Sequence, residues 1–106
     1  NDLHNAVSEV AGLGFNFQLK VGSRGHMETV TIRAEAKEDV PQKKYAQLSA
    51  KLLQAVRRNC EDLVYVIDNK WIDPPLVEAV APNTLERIAR TGKIRRVVDA
   101  RMKLRR

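Results

Sequence analysis

Apolar residues recur along this chain with two distinct periods, and each period predicts a different element. Leu3, Ala6, Val7 and Val10 lie at helical spacing, which predicts a short helix over residues 2–11. Gly12-Leu13-Gly14 ends it, glycine being the common residue just beyond a helix C-terminus. Phe15, Phe17, Leu19 and Val21 then alternate with Asn16, Gln18 and Lys20, the period-2 pattern of a strand with one buried face. Gly22-Ser23-Arg24-Gly25 supplies turn chemistry. A second strand follows, with Val30, Ile32, Ala34 and Ala36 on one face and Thr29, Thr31, Arg33 and Glu35 on the other. The two strands predict an antiparallel hairpin.

Pro41 is placed like a proline of a first helical turn, with Asp39 nearby as a cap. From there Tyr45, Leu48, Leu52, Val56, Cys60, Leu63 or Val64, Ile67 and Trp71 recur every three or four residues. This predicts one helical stripe of about 30 residues with a break near Asn59. A strand over residues 63–67 competes with it, because Val64 and Val66 are β-branched and Tyr65 is aromatic; the unbroken phase of the stripe favours helix. Asp73-Pro74-Pro75 stops this element. Residues 76–81 suit a third strand, Pro82-Asn83-Thr84 a turn, and residues 95–100 a short final strand through Val97 and Val98. The expected fold is α+β, a small antiparallel sheet of three to four strands covered by two to three helices in α-β-β-α-β order.

At 106 residues the chain fits a single domain with one modest core, and it is short for an enzyme with its own cofactor fold. Its 43% hydrophobic and 30% charged content is that of a globular protein, and no apolar run approaches the roughly 20 residues of a membrane span. The N-terminal residues lack a signal peptide's basic flank and apolar stretch, and the one cysteine, Cys60, has no internal disulfide partner; a cytoplasmic setting is expected. The net charge of +6 comes from one end: residues 85–106 hold nine Lys or Arg against Glu86 and Asp99, while the other 84 residues are almost neutral. That distribution, with no aromatic residue inside the basic segment, argues against nucleic acid as a partner, although a small basic binding module using Arg95 to Arg106 is the alternative reading. A regulatory or assembly domain without chemistry is a third.

Candidate chemistry is sparse. His4 and His26 stand in different elements without clustered ligands, so no metal site is expected. Cys60 lies on the apolar helical stripe and reads as a small core residue. The sequence singles out Arg90-Thr91-Gly92-Lys93, where glycine presents an ammonium group at a loop tip, suited to meeting a phosphate or another oxyanion. On spacing alone the same residues also describe an ordinary exposed turn. A P-loop is excluded, because Arg87 and Ile94 stand where its first glycine and its Ser or Thr belong.

Three strings resemble the C-terminal domain of adenylate-forming ligases, in the phenylacetate–coenzyme A ligase branch. Val10-Ala11-Gly12-Leu13-Gly14-Phe15-Asn16-Phe17-Gln18-Leu19 is similar to the helix end and first strand of that branch, with Ala11 in place of a proline. Val77-Glu78-Ala79-Val80-Ala81-Pro82-Asn83-Thr84-Leu85 resembles the strand that ends in Pro-Gly-Ser/Thr-Leu, with Asn83 in place of the glycine; asparagine tolerates positive φ better than most residues. Arg90-Thr91-Gly92-Lys93-Ile94-Arg95-Arg96-Val97-Val98-Asp99 resembles the last core motif, Thr/Ser-Gly-Lys-apolar-x-Arg, and the ending of the branch. The longest departure is residues 63–75, about a dozen more than the pattern has before the third strand.

The resemblance implies a mobile lid, residues 1–106, of a larger enzyme whose N-terminal domain binds ATP and the acid and is absent from this chain. Lys93 would be the catalytic residue of acyl-adenylate formation, with Arg90, Thr91 and Gly92 forming its nucleotide loop. The lid would then reorient so that coenzyme A displaces AMP. ATP with Mg2+, a small carboxylic acid and coenzyme A would be ligands held mainly by the other domain, with no cofactor tightly bound here. Relatives in the branch are commonly dimeric, so a homodimer is the corresponding expectation for the full enzyme. The isolated domain should not turn over substrate, and the sequence leaves the acid and the final acceptor open.

Overall fold

The computed structural model describes residues 2–25, 27–61, 76–88, 90–94 and 97–99. Helix α1 (Asp2–Glu9) leads into strand β1 (Leu13–Arg24), which pairs with β2 (Met27–Ala36). A 3-10 turn (Gln42–Lys44) opens α2 (Tyr45–Asn59), and strands β3 (Leu76–Val80) and β4 (Val97–Asp99) complete one sheet in the order β3-β2-β1-β4. The α+β class, the element order and the hairpin are those the patterning predicts.

The sheet is mixed, which corrects the expectation of an antiparallel one. Only β1 and β2 run antiparallel; β3 lies parallel to β2 and β4 parallel to β1. Alternating apolar residues identify a strand but carry no information on its direction. Direction is set by the connection: a long crossover containing α2 returns the chain so that β3 runs alongside β2 in the same sense.

One sheet face packs against both helices. Val30, Ile32, Ala34 and Ala36 of β2 meet Ala6 and Val7 of α1 and Leu48, Leu52, Ala55 and Val56 of α2 in one buried cluster, which also takes in Val10, Leu13, Phe17 and Ala79. The α2 residues recur at i, i+4, i+7 and i+8, the stripe a helix needs to bury one side. The Ser49 hydroxyl fastens α2 to the third strand, accepting from the Ala79 N–H at 2.8 Å while donating to the Tyr45 carbonyl. At the other end Glu9 accepts from Arg58 at 2.7 Å and Asn59 at 2.9 Å, joining the ends of the two helices.

Local details differ from the patterned reading for identifiable reasons. Helix α1 stops at Glu9, two residues early, and Gly12 takes the left-handed φ of +99° that the turn into β1 requires. The hairpin turn falls later than expected: pairing continues through Gly22↔Thr29 to Arg24↔Met27, with Gly25 at φ +62°. Glycine suits position 22 inside the strand because a Cβ there would lie 2.9 Å from the Thr29 hydroxyl. The pairing with β2 is irregular between Leu13 and Phe17; there Phe15 stacks on His4 of α1 yet stays 72% exposed, while Phe17 is buried. Pro41 precedes a 3-10 turn instead of opening the α-helix directly, and no side chain, that of Asp39 included, caps it. Helix α2 ends at Asn59, where a break was expected. The choice between helix and strand for residues 63–72 lies outside the described residues.

Candidate functional site

Arg90, Thr91, Gly92 and Lys93 fall together on an exposed turn between Arg87 and Ile94, which form an antiparallel bridge. The Ile88 N–H donates to the Lys93 carbonyl at 2.8 Å, closing the base of the turn. The Ile88 carbonyl accepts from the Thr91 N–H at 3.2 Å and the Gly92 N–H at 2.8 Å, which winds the chain into a single helical turn. Gly92 ends that turn at φ +70°, the left-handed exit that a residue without Cβ makes at no steric cost. The Thr91 hydroxyl accepts from the Lys93 N–H at 3.3 Å. Both backbone groups of Lys93 are thus engaged while its side chain stands exposed, and among the described residues no carboxylate pairs with its ammonium group. The Arg90 side chain is exposed as well.

A shallow cleft beside the turn is lined by Asn16, Arg87, Gly92, Lys93 and Ile94. Two of these, Asn16 and Arg87, meet a residue the pattern does not single out. Glu35 belongs to the polar face of β2, opposite the helices, yet it is only 4% exposed. The segment that follows β3 folds back over this part of the sheet. The Leu85 N–H donates to Glu35 Oε2 at 3.0 Å, and Asn16 Nδ2 donates to Oε1 at 3.1 Å. Leu85 itself is buried apart from the core between sheet and helices, and Gln18, on the same sheet face as Glu35, is buried too. Arg87 extends the network. Its Nη2 lies 3.6 Å from Glu35 Oε1 and 3.3 Å from Asn83 Oδ1, and its Nη1 lies 3.4 Å from the Gly92 carbonyl.

Burial pushes the Glu35 carboxyl up, but N–H donors from Leu85, Asn16 and Asn83 and the charge of Arg87 outweigh it and hold the group below its ordinary value. It therefore stays an anion and a pure acceptor. Asn83 supplies the preceding turn at φ +65°, a positive φ found at no other non-glycine among the described residues, so asparagine does here what glycine does in the pattern it resembles.

The other candidate groups stay apart. Cys60 is partly buried against the core, and burial followed by the charge of Asp2 pushes its thiol up, the reverse of an activated nucleophile. His4 stacks on Phe15, and His26 is outside the described residues. Among the described residues no three His, Cys, Asp or Glu side chains come together to hold a metal ion, and no helix is long and apolar enough to cross a membrane. Arg95, Arg96 and residues 101–106 of the basic segment are likewise outside the described residues. Glu35, Asn16 and Arg87 escape sequence reading because each looks like an ordinary polar or basic residue, and the partners in the Glu35 bonds lie 19 to 50 residues away.

A sequence model of the family described as "AMP-binding enzyme C-terminal domain" matches residues 1–101. No curated protein sequence matches the chain. Similar solved structures include a domain of phenylacetate-coenzyme A ligase from Bacteroides vulgatus, at 16% identity and a TM-score of 0.62, covering 96% of this chain and 83% of that one. Another is 2-hydroxyisobutyryl-CoA ligase in complex with 2-HIB-AMP and CoA in the thioesterification state, at 22% identity and a TM-score of 0.66. That match covers 93% of this chain and 18% of the larger one, so the chain corresponds to under a fifth of that protein. At these identities the likeness is one of fold.

Proposed function

The chain belongs to the AMP-binding enzyme C-terminal domain family, and on that footing we propose that it is the mobile C-terminal domain of an AMP-forming acyl- or aryl-coenzyme A ligase, with Lys93 serving acyl-adenylate formation. The observation that carries the reading is the Lys93 turn. Hydrogen bonds to Ile88 and Thr91 hold its backbone, while its ammonium group stands exposed beside a cleft and unclaimed by any carboxylate among the described residues. A charge displayed in this way is available to a group outside the domain.

The chemistry fits such a charge. When a carboxylate attacks the α-phosphate of ATP, negative charge shifts onto the α-phosphate and the departing pyrophosphate, and a fixed ammonium stabilises it. ATP with Mg2+, the acid and coenzyme A would be held mainly by the N-terminal domain of the same enzyme. Arg90, Thr91 and Gly92 would shape the loop that delivers Lys93. In the second half-reaction the domain would turn away so that the coenzyme A thiol displaces AMP; a catalytic group on a loop of a small domain suits a part that swings. One fold-like structure being captured with an acyl-adenylate and CoA supports the two-step reading.

The test compares the full-length ligase with its Lys93→Ala variant in acid-dependent ATP–pyrophosphate exchange and, separately, in thioester formation from a preformed acyl-adenylate. Loss of a contact of this kind costs on the order of 3 kcal/mol, about a hundredfold in rate. Exchange should fall by that amount while thioester formation stays largely intact. Unchanged exchange would reduce Lys93 to a surface lysine.

A further inference from the structure

We propose that Glu35 and Arg87 are positioning residues for Lys93: the buried carboxylate holds the Arg87 guanidinium, and Arg87 in turn holds the carbonyl of Gly92, the residue immediately before the lysine. The inference rests on the reading of Lys93 as the adenylation lysine and adds to it the means by which the turn is aimed.

The network has a rigid part and an adjustable part. Glu35 sits in the second strand with bonds of ordinary length from Asn16 and Leu85, 3.1 and 3.0 Å, and is almost fully buried. Its position is therefore set by the sheet. Arg87 spans three acceptors on different segments: Glu35 on the strand, Asn83 on the first turn and Gly92 on the second. Its contacts, at 3.3 to 3.6 Å, are longer and leave slack. A planar guanidinium can reach several acceptors at once from a fixed fork, which a lysine ammonium cannot do in the same geometry. The turn's own Arg87↔Ile94 bridge joins its two ends to each other and not to the strands. Arg87 lines the cleft beside Lys93, and both of its Nη groups face these three acceptors, which suits it to holding the turn.

The consequence is specific to one half-reaction. A small displacement of a group that must meet the transition state costs rate steeply. If the pair acts through Lys93, weakening it should harm adenylation, leave thioester formation alone, and do nothing further once Lys93 is gone. A pair that merely supports the domain fold would harm both half-reactions and would add to the loss of the lysine.

The experiment uses the full-length ligase with Arg87→Lys, Glu35→Gln and Lys93→Ala, alone and with each of the first two combined with the third. It reads ATP–pyrophosphate exchange and thioester formation from preformed acyl-adenylate, with a thermal melt for each variant. Arg87→Lys retains the charge at an exposed position outside the core, so the test survives if Glu35→Gln folds poorly. The expected result is a loss of about tenfold or more in exchange for each single variant, thioester formation little changed, and no further loss on the Lys93→Ala background. Normal exchange in Arg87→Lys and Glu35→Gln, with exchange lost in Lys93→Ala, would overturn the positioning role and leave the lysine's role standing. Equal losses in both half-reactions, or losses that add to that of Lys93→Ala, would also overturn it. Normal exchange in Lys93→Ala would overturn the lysine reading and this inference with it.

Discussion

The backbone N–H of Leu85 donates to the buried carboxylate of Glu35 at 3.0 Å, joining a strand to a loop fifty residues further along the chain. Asn16 bonds the same group, so one anion ties its own strand both to β1 and to that loop. A buried acceptor shared in this way makes fold stability depend on its ionisation. Because Glu35 is held below its ordinary value of 4.5, the unfolded chain binds more protons than the folded one in the window beneath that value. The contribution should be fully present above the ordinary carboxyl value and lost as pH falls through the depressed folded value. Glu35→Gln should lower stability at neutral pH by about 1.5–3 kcal/mol and flatten the acid limb of a plot of denaturation midpoint against pH. Some slope should survive it, since Glu9 is lowered as well by Asn59 and Arg58.

Gly92 adopts φ +70°, and a Cβ built there meets nothing within 4 Å. Any penalty for substitution is therefore conformational and not steric crowding by neighbours. Gly92→Asn should be close to neutral in a thermal melt, whereas Gly92→Val should cost about 1–2 kcal/mol. If the turn aims Lys93 as proposed, the valine variant of the full enzyme should also lose pyrophosphate exchange.

Gly12 combines both penalties. Its φ is +99°, and an added Cβ would lie 3.1 Å from Leu48 Cδ2. Gly12→Ala should therefore destabilise by about 1–3 kcal/mol, more than the same change at Gly92, in chemical denaturation of the two variants side by side.

Adjacent leucines on α2 should behave very differently. Leu52 is fully buried in the core, while Leu53 is 36% exposed. Leu52→Ala should cost about 2–5 kcal/mol through lost burial and the cavity left behind, and Leu53→Ala about 0.5 kcal/mol or less. Similar costs for both, measured as shifts in urea midpoint, would contradict the phase of the helix.

The Cys60 thiol is pushed up by burial and then by Asp2. Less of it is thiolate at pH 8 than in a free thiol, and the thiolate is the reactive form. Alkylation by iodoacetamide should be slow in the folded chain and accelerate on unfolding in urea. Fast labelling of the native protein would show that the thiol is not held against the core as described.

The residue pattern by itself determined what depends on neighbours close in the chain. The α2 stripe through Leu48, Leu52 and Val56, the pairing of β1 with β2, the left-handed turns at Gly12, Asn83 and Gly92, and the display of Lys93 all follow from side-chain periodicity or from which residues tolerate positive φ. Those properties act over a few residues, so a string of residue types records them. Only the tertiary structure decided that the sheet is mixed, because strand direction depends on where a crossover returns the chain. The irregularity before Phe17 is likewise a matter of register, and within it Phe15, which alternation alone would bury, is left exposed beside His4. Glu35 is the clearest instance. Alternation assigns it correctly to the face away from the helices, but what covers that face is a loop fifty residues distant, and the low-dielectric, fully bonded surroundings that make its charge matter exist only once the two have met.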